Sequence, residues 1–119
     1  MKDFRSLKVW ELAHRQTLKV YEATASFPKD ELYGLTSQLR RASSSVAANI
    51  AEGCGRRSDA ELSRFSVIAL GSASEMEYLL ILSLDLGYLE RSLYQTLHDQ
   101  TIQVKRMLGG LIRKLNTGS

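Results

Sequence analysis

Apolar residues recur along the chain every three or four positions, and nowhere do they alternate with polar residues over a sustained stretch. The longest mostly apolar stripe steps by three and four without a break through Leu62, Phe65, Ala69, Ser72, Met76, Leu79, Ser83 and Leu86. This spacing places the residues on one face of an α-helix, whereas a strand would need a period of two. The stripe therefore predicts a long helix, the third of the chain, with one face in a core.

Three further stripes with the same spacing predict three more helices. They are Trp10, Ala13, Thr17, Val20, Thr24 and Phe27 in helix 1; Leu32, Leu35, Leu39, Ala42, Val46, Asn49 and Gly53 in helix 2; and Tyr94, Leu97, Thr101, Val104, Leu108, Leu111 and Leu115 in helix 4. Short connections make successive helices antiparallel neighbours. We therefore predict one all-α domain over residues 1–119, an antiparallel up-down-up-down four-helix bundle.

The predicted connections contain residues that end or begin helices. Pro28 separates the first two helices, because proline disfavours helical backbone at the residue before it. Gly53 and Gly55 are expected to take the left-handed backbone that ends helix 2. Ser58 and Glu61 have the spacing of a capping box and predict the start of helix 3.

Composition narrows the class of protein. Apolar residues make up 44% of the chain, which is enough for a core, and a single cysteine excludes both an internal disulfide and a zinc cage built on cysteines. The net charge of +3 is mildly basic, and it is smaller than is usual for a protein that binds nucleic acid mainly through phosphate contacts. No run reaches about 18 consecutive apolar residues, and the charged start is not typical of a signal peptide. We expect a soluble, cytoplasmic protein with no membrane partner.

Candidate catalytic chemistry is sparse. Glu11 and His14 have the Glu-x-x-His spacing of di-iron bundles, but His98 follows Gln95 by three residues, so the second half of the motif is missing. Cys54 is expected at the C-terminus of a helix, where the helix dipole disfavours a thiolate, and we interpret it as a structural thiol. We therefore predict that the protein is not an enzyme and has no metal site and no cofactor.

Polar residues interrupt the predicted core in helices 2 and 3. Asn49 falls on the stripe of helix 2 and Ser72 on that of helix 3, and buried polar groups need hydrogen-bond partners. If these helices reverse near residue 56, Arg41 lies about one turn from Glu75. We predict a polar core of Arg41, Asn49, Ser72 and Glu75 with an Arg41–Glu75 ion pair, for which Arg40 is the competing partner.

Helix 3 carries a second apolar stripe, which indicates self-association. Its members are Val67, Leu70, Ser74, Tyr78, Ile81 and Leu84. A bundle helix buries one face against its neighbours, so a helix that is apolar on two faces needs another subunit. We predict an oligomer interface at Val67, Leu70, Tyr78, Ile81 and Leu84; the alternative is a lopsided core within one chain.

Basic side chains gather at the end of the predicted bundle where helix 1 starts, helices 2 and 3 connect and helix 4 ends. They are Lys2, Arg5, Arg56, Arg57, Arg113 and Lys114. In a cyclic ring these ends would all face one way, so their electrostatic fields would add. This end is a candidate contact surface for RNA or DNA, and ordinary solvated charge is the alternative.

Three motifs together resemble the four helix bundle protein family, which includes proteins encoded in intervening sequences of bacterial 23S ribosomal RNA genes. The motifs are Phe27-Pro28 with ELYGL at 31–35, QLRRA at 38–42 leading to NIAEG at 49–53, and Gly71-Ser72 with Glu75. The chain is similar, more distantly, to the accessory variability proteins of diversity-generating retroelements. The family resemblance implies a cytosolic bacterial protein that assembles as a ring of five bundles, with no known catalysis. Nucleic-acid binding is implied only by the retroelement relatives, which are much more basic.

Two classes of function stay open at this point. The first is a non-catalytic ring, of five subunits by the family resemblance, that serves as a scaffold for another macromolecule. We rank this class first. The second is a nucleic-acid-binding accessory protein that uses the basic end of the ring. Salt dependence separates the two, because phosphate contacts make binding fall steeply as salt increases.

Overall fold

The computed structural model describes residues 2–117, and within that range it contains four α-helices and no strand. They are α1 (Lys8–Thr24), α2 (Leu35–Cys54), α3 (Asp59–Asp85) and α4 (Arg91–Asn116). Short 3-10 helices at Phe4–Ser6 and Lys29–Glu31 precede α1 and α2. The described chain measures 45 × 22 × 20 Å. The predicted all-α fold with four helices is confirmed.

Between successive helices, residues later in one helix contact residues earlier in the other. Gly53, near the end of α2, lies against Leu62 near the start of α3, whereas Ser45 in the middle of α2 contacts Ser72 further along α3. The equivalent hydrogen-bonded pairs are Thr17–Ser43 and Thr24–Arg40 for α1 with α2, and Ser63–Asn116 and Glu77–Lys105 for α3 with α4. These contacts make successive helices antiparallel neighbours.

The core consists of two apolar clusters, one toward each half of the bundle. Ile50 and Leu108 are fully buried in the first, and Leu80 and Leu97 in the second. Most positions of the four predicted stripes are buried, but Leu86 follows the end of α3 and is 48% exposed. The stripes are correct in the helix interiors because helical spacing decides which face is inward there.

A buried glutamine joins the two clusters. Gln16 is only 2% exposed, and its Nε2 donates to the Leu97 carbonyl oxygen (2.7 Å) and to Thr101 Oγ1 (2.6 Å). The apolar stripe of helix 1 does not include Gln16, so sequence spacing missed this link between α1 and α4.

The end of α2 differs from its prediction. Neither Gly53 nor Gly55 has a positive φ, and within residues 2–117 only Gly87 does, at 79°. Gly53 instead provides space, because an added Cβ would lie 2.9 Å from Leu62 Cδ1 and 2.9 Å from Phe65 Cβ. A glycine is therefore required there by the close approach of α2 and α3, and not by backbone conformation.

The boundaries of α3 follow the expected chemistry. Ser58 Oγ accepts a hydrogen bond from the Glu61 N–H (3.1 Å), as predicted, while the Glu61 carboxylate pairs with Arg64 Nε (2.9 Å). At the other end, the N–H groups of Gly87 and Tyr88 return to carbonyl oxygens of the last turn of α3, which is a Schellman motif. Both ends of the longest helix are thus defined by local hydrogen bonds.

Candidate functional site

The polar residues predicted in the core form a small hydrogen-bonded cluster at the seam between α2 and α3. Ser72 Oγ lies 2.9 Å from Ser45 Oγ, and Asn49 Nδ2 donates to the Ser45 carbonyl oxygen (2.8 Å) and hydroxyl (3.0 Å). Asn49 and Ser72 are half-buried. Asn49 is hydrogen-bonded, as predicted, and it lies at the edge of the inward face of α2, which is centred on its fully buried neighbour Ile50.

The predicted ion pair between Arg41 and Glu75 does not form within the chain. Both side chains are exposed, and neither has an ion-pair partner among residues 2–117. Arg40 does not pair with Glu75 either: its guanidinium lies 4.7 Å from the centre of the Tyr21 ring, and its Nε donates to Thr24 Oγ1 (2.8 Å). Arg40 thus faces α1, and Arg41, about 100° further round the helix, is directed outward.

Helix α3 presents an exposed apolar surface, which we call the α3 patch and define by Val67, Ile68, Tyr78 and Ile81. Their exposed fractions are 52%, 42%, 59% and 38%. Leu70 and Leu84, also predicted for the interface, are half-buried, and Leu70 lies beside α4. Isolated apolar residues on a surface are common, but four on the outer face of one helix are typical of an interaction surface.

A second exposed apolar surface was missed by the sequence analysis. We call it the α1–α2 patch and define it by Leu18, Tyr21, Leu32 and Tyr33, which are 56%, 46%, 50% and 92% exposed. Three of these residues line a groove of about 480 Å³ together with hydroxyl side chains and Arg40 and Arg41. The stripes did not indicate this patch, and the helix 2 stripe wrongly placed Leu32 in the core, because Leu32 lies on the turn before α2, where helical spacing does not apply.

Three of the predicted basic contact residues lie around one cavity. Lys2, Arg56 and Arg57 line a space of about 260 Å³ beside Ser58, at the start of α3. The Lys2 N–H donates to the Cys54 carbonyl oxygen (3.0 Å), which fastens the beginning of the described chain to the end of α2. The cavity therefore combines three cations with the partial positive charge of a helix N-terminus, and the carboxylate of Asp59, which also lines it, offsets part of that charge.

The charges of this basic end are not all free. Arg56 pairs with Glu52 (3.0 Å) and lies 5.0 Å from the centre of the Phe65 ring, whereas Arg57 has no ion-pair partner among the described residues. Arg5 pairs with Asp3 (3.1 Å), and its hydrogen bond lowers the pKa of that carboxyl. The net attraction for an anion is thus smaller than the count of basic residues suggests.

Arg5 does not line the cavity, and neither do the last two predicted contacts, Arg113 and Lys114. Both are exposed in the last turn of α4. Arg113 lines a separate groove of about 370 Å³ between α3 and α4, together with Leu70 and Gly109. The structure therefore brings Lys2, Arg56 and Arg57 together and leaves Arg113 on a different surface.

The side chains considered as catalytic candidates, Glu11, His14 and Cys54, make ordinary structural contacts. Glu11 pairs with Arg15, and the His14 ring stacks on Trp10 with 5.0 Å between ring centres. Cys54 is 1% exposed, and burial raises the pKa of its thiol. Within residues 2–117, no group of three or more His, Cys, Asp or Glu side chains is placed to hold a metal ion.

Helix α3 is long and apolar enough, by length and composition, to cross a membrane. A third of its most apolar 18-residue window is buried inside the bundle. The core helix of a soluble bundle passes the same test, because one of its faces is apolar for packing. The high mean hydropathy of α3 is therefore consistent with its place in the core of the bundle.

Comparisons with known proteins agree with the fold. The family model described as 23S rRNA-intervening sequence protein matches residues 5–110. A crystal structure of a protein with unknown function from the S23 ribosomal protein family of Bacteroides thetaiotaomicron is similar, with a TM-score of 0.78 and 23% sequence identity over 87% of this chain and 97% of that chain. No protein of curated annotation matches the sequence.

Proposed function

Because the chain belongs to the 23S rRNA-intervening sequence protein family, we propose that it is a non-catalytic, cytoplasmic scaffold that assembles from copies of itself. The subunits form a ring of four-helix bundles, and five is the expected number. The observation that carries this proposal is the α3 patch, an exposed apolar surface on a helix whose opposite face already fills the core.

Burial of the α3 patch supplies the driving force for assembly. Removing apolar surface from water stabilises an interface by about 25 cal/mol per Å², and aromatic side chains such as Tyr78 are favoured at interfaces. The patch lies on the outer side of α3, away from Leu80 and Met76, which are buried in the core. A partner can therefore cover the patch without any change in the bundle.

A ring of these subunits would act as a scaffold because it presents several copies of the same surface. Each copy carries the same basic end, and cyclic symmetry turns all of these ends toward one side of the ring. A macromolecule that contacts several of them gains avidity from simultaneous contacts, even if each contact is weak.

The interface is tested by placing a carboxylate in the α3 patch. The exposed variant Tyr78→Asp should fold normally but lose assembly, because burying an unpaired carboxylate in an apolar interface is costly. Size-exclusion chromatography with light scattering should give the 13.3 kDa mass of one chain for the variant and several times that mass for the unchanged protein.

The matched control is Gln103→Asp, which adds the same charge to an exposed position in α4. It should keep the assembly of the unchanged protein, and circular dichroism should give equal helix content for all three proteins. If Tyr78→Asp assembles as the unchanged protein does, the α3 patch is not the interface.

Nucleic-acid binding at the basic end is the second candidate function, and the cavity lined by Lys2, Arg56 and Arg57 favours it. The arginines lie on the turn between α2 and α3, so their side chains extend past the helix ends. Guanidinium groups and helix N-termini are the usual contacts for phosphate oxygens. No aromatic side chain lines this cavity, so phosphate contacts made within it would be insensitive to sequence.

The second candidate is tested with the double change Arg56→Ala and Arg57→Ala. RNA and DNA binding should weaken equally for all sequences, and the salt slope should flatten by about two per subunit engaged. The control is Lys29→Ala with Arg91→Ala, which removes two exposed cations at the other end of the bundle. Unchanged filter binding of the first variant at low salt would reject this surface.

A further inference from the structure

The large exposed apolar side chains of the described chain fall into two groups on different helices. The α3 patch and the α1–α2 patch account for eight of the nine, and the ninth, Leu86, lies just beyond α3. An interface that covered only one patch would leave the other in water. A contact between the two patches, made from different copies, would cover both.

The two patches carry opposite unpaired charges. Arg41 lines the groove of the α1–α2 patch and has no ion-pair partner among residues 2–117, and no carboxylate lines that groove. Glu75 lies within the α3 patch, three residues before Tyr78 and seven after Ile68, and is likewise unpaired. Complementary charges of this kind fix the orientation of an interface and disfavour wrong partners.

The two patches also differ in how far they project from the surface. Tyr33 is 92% exposed on the turn before α2, so its ring projects from the surface. Gly71 lies in α3 between Val67 and Glu75, and a Cβ added there would have no atom within 4 Å. The backbone of α3 is therefore open to an approaching side chain at this point.

From these observations, and resting on the proposed self-association, we propose that the α1–α2 patch of one copy packs on the α3 patch of the next. Tyr33 lies against the open backbone at Gly71, and Arg41 pairs with Glu75 of the partner subunit. Each copy has one patch of each kind, so the contact is head-to-tail, which is the type of interface that closes into a ring.

An α3-to-α3 contact, the main alternative, fits the observations less well. Two-fold packing of the α3 patch on itself would bring two Glu75 carboxylates into one interface without a cation from that patch. It would also leave Leu18, Tyr21, Leu32 and Tyr33 exposed. Head-to-tail packing removes both problems, since it covers both patches and pairs the two free charges.

Mixing two variants tests the head-to-tail contact directly. Tyr33→Asp blocks the α1–α2 patch, and Tyr78→Asp blocks the α3 patch; both positions are exposed, so both variants should fold. Each alone should be monomeric, and a 1:1 mixture should form a heterodimer and nothing larger, because only one intact pair of patches remains. Both changes replace Tyr with Asp and give equal masses, so one variant is uniformly labelled with ¹⁵N, and native mass spectrometry then distinguishes the two chains.

Exchange of the two charges gives a second, independent measurement. Arg41→Glu and Glu75→Arg should each weaken assembly by about tenfold or more through like-charge contact, and the double variant should regain most of it. Lys19→Glu is the control, since it reverses an exposed charge of α1 outside the patches and should leave assembly unchanged.

The outcomes separate this inference from the proposed function. If Tyr33→Asp assembles as the unchanged protein does, and the mixture gives no heterodimer, self-association stands but the head-to-tail contact is wrong. If the unchanged protein is itself monomeric, both proposals fail. A monomer that floats with phosphatidylglycerol vesicles would assign the α3 patch to lipid and overturn both.

Discussion

Gly53 and Gly71 have the same side chain but opposite surroundings. A methyl group at Gly53 would collide with Leu62 and Phe65, whereas one at Gly71 would meet nothing within 4 Å. Both residues lie inside helices, where glycine costs backbone entropy relative to alanine. The fold therefore explains the glycine at position 53, whereas no contact within the described chain requires the one at position 71.

We predict that Gly71→Ala stabilises a single subunit. Alanine should raise the free energy of unfolding by about 0.5–1 kcal/mol, because it restricts the unfolded chain and has no steric cost at this position. Urea unfolding should be measured in the Tyr78→Asp background, so that assembly does not contribute to the result. A loss of stability would mean that the surface around Gly71 is not open.

Replacing Gly53 with alanine should have the opposite effect on the free energy of unfolding. Gly53→Ala should lower the free energy of unfolding by about 1–3 kcal/mol, because α2 and α3 must separate to admit the methyl group. The comparison uses the same Tyr78→Asp background and the same denaturant. Equal or greater stability than the parent would contradict the close contact between these two helices.

At this scale the sequence predicted which residues are chemically unusual but not their partners. Asn49 and Ser72 were identified as polar interruptions, and both do hydrogen-bond with Ser45, a partner that was not predicted. The choice between Arg40 and Arg41 depends on a rotation of about 100° in the phase of α2. Spacing alone could not determine that rotation, because small residues between 42 and 48 lie on both the buried and the exposed faces of α2 and leave no clear apolar edge.

The helices themselves were predictable because their stripes persist over many turns. Stripes in α3 and α4 continue for about six turns, and the predicted start of α3 agrees with Ser58, where a local hydrogen bond forms. The α1–α2 patch was not predictable, because Leu32 and Tyr33 lie on an irregular turn whose position depends on packing. Periodicity describes regular elements and says nothing about such turns.

Helix α3 should depend on its N-cap. Ser58→Ala removes the hydroxyl that accepts from the Glu61 N–H and should lower the free energy of unfolding by about 1 kcal/mol. Thr96→Ala is the comparison, since it removes an exposed hydroxyl from the interior of α4 and gains helix propensity. A smaller loss for Ser58→Ala than for Thr96→Ala in thermal or urea unfolding would contradict the cap.

At the scale of the whole molecule, one chain buries a complete core and still exposes two apolar patches. The 22 and 20 Å widths leave each helix with one outward face, and α3 is the helix whose outward face is apolar. The proposed assembly would account for this excess of apolar surface and for the two unpaired charges together. The sequence predicted the apolar outer face of α3 from its second stripe, whereas the α1–α2 patch and the unpaired charges became apparent only from the arrangement of the helices.

The mass of the unchanged protein in solution is the most direct test of self-association. Light scattering at micromolar concentration should give an integral multiple of the 13.3 kDa chain mass, with five subunits expected. The mass should stay constant on moderate dilution, as a closed ring requires, since an open chain of subunits would shorten. A mass of 13.3 kDa at micromolar concentration would contradict the proposed assembly.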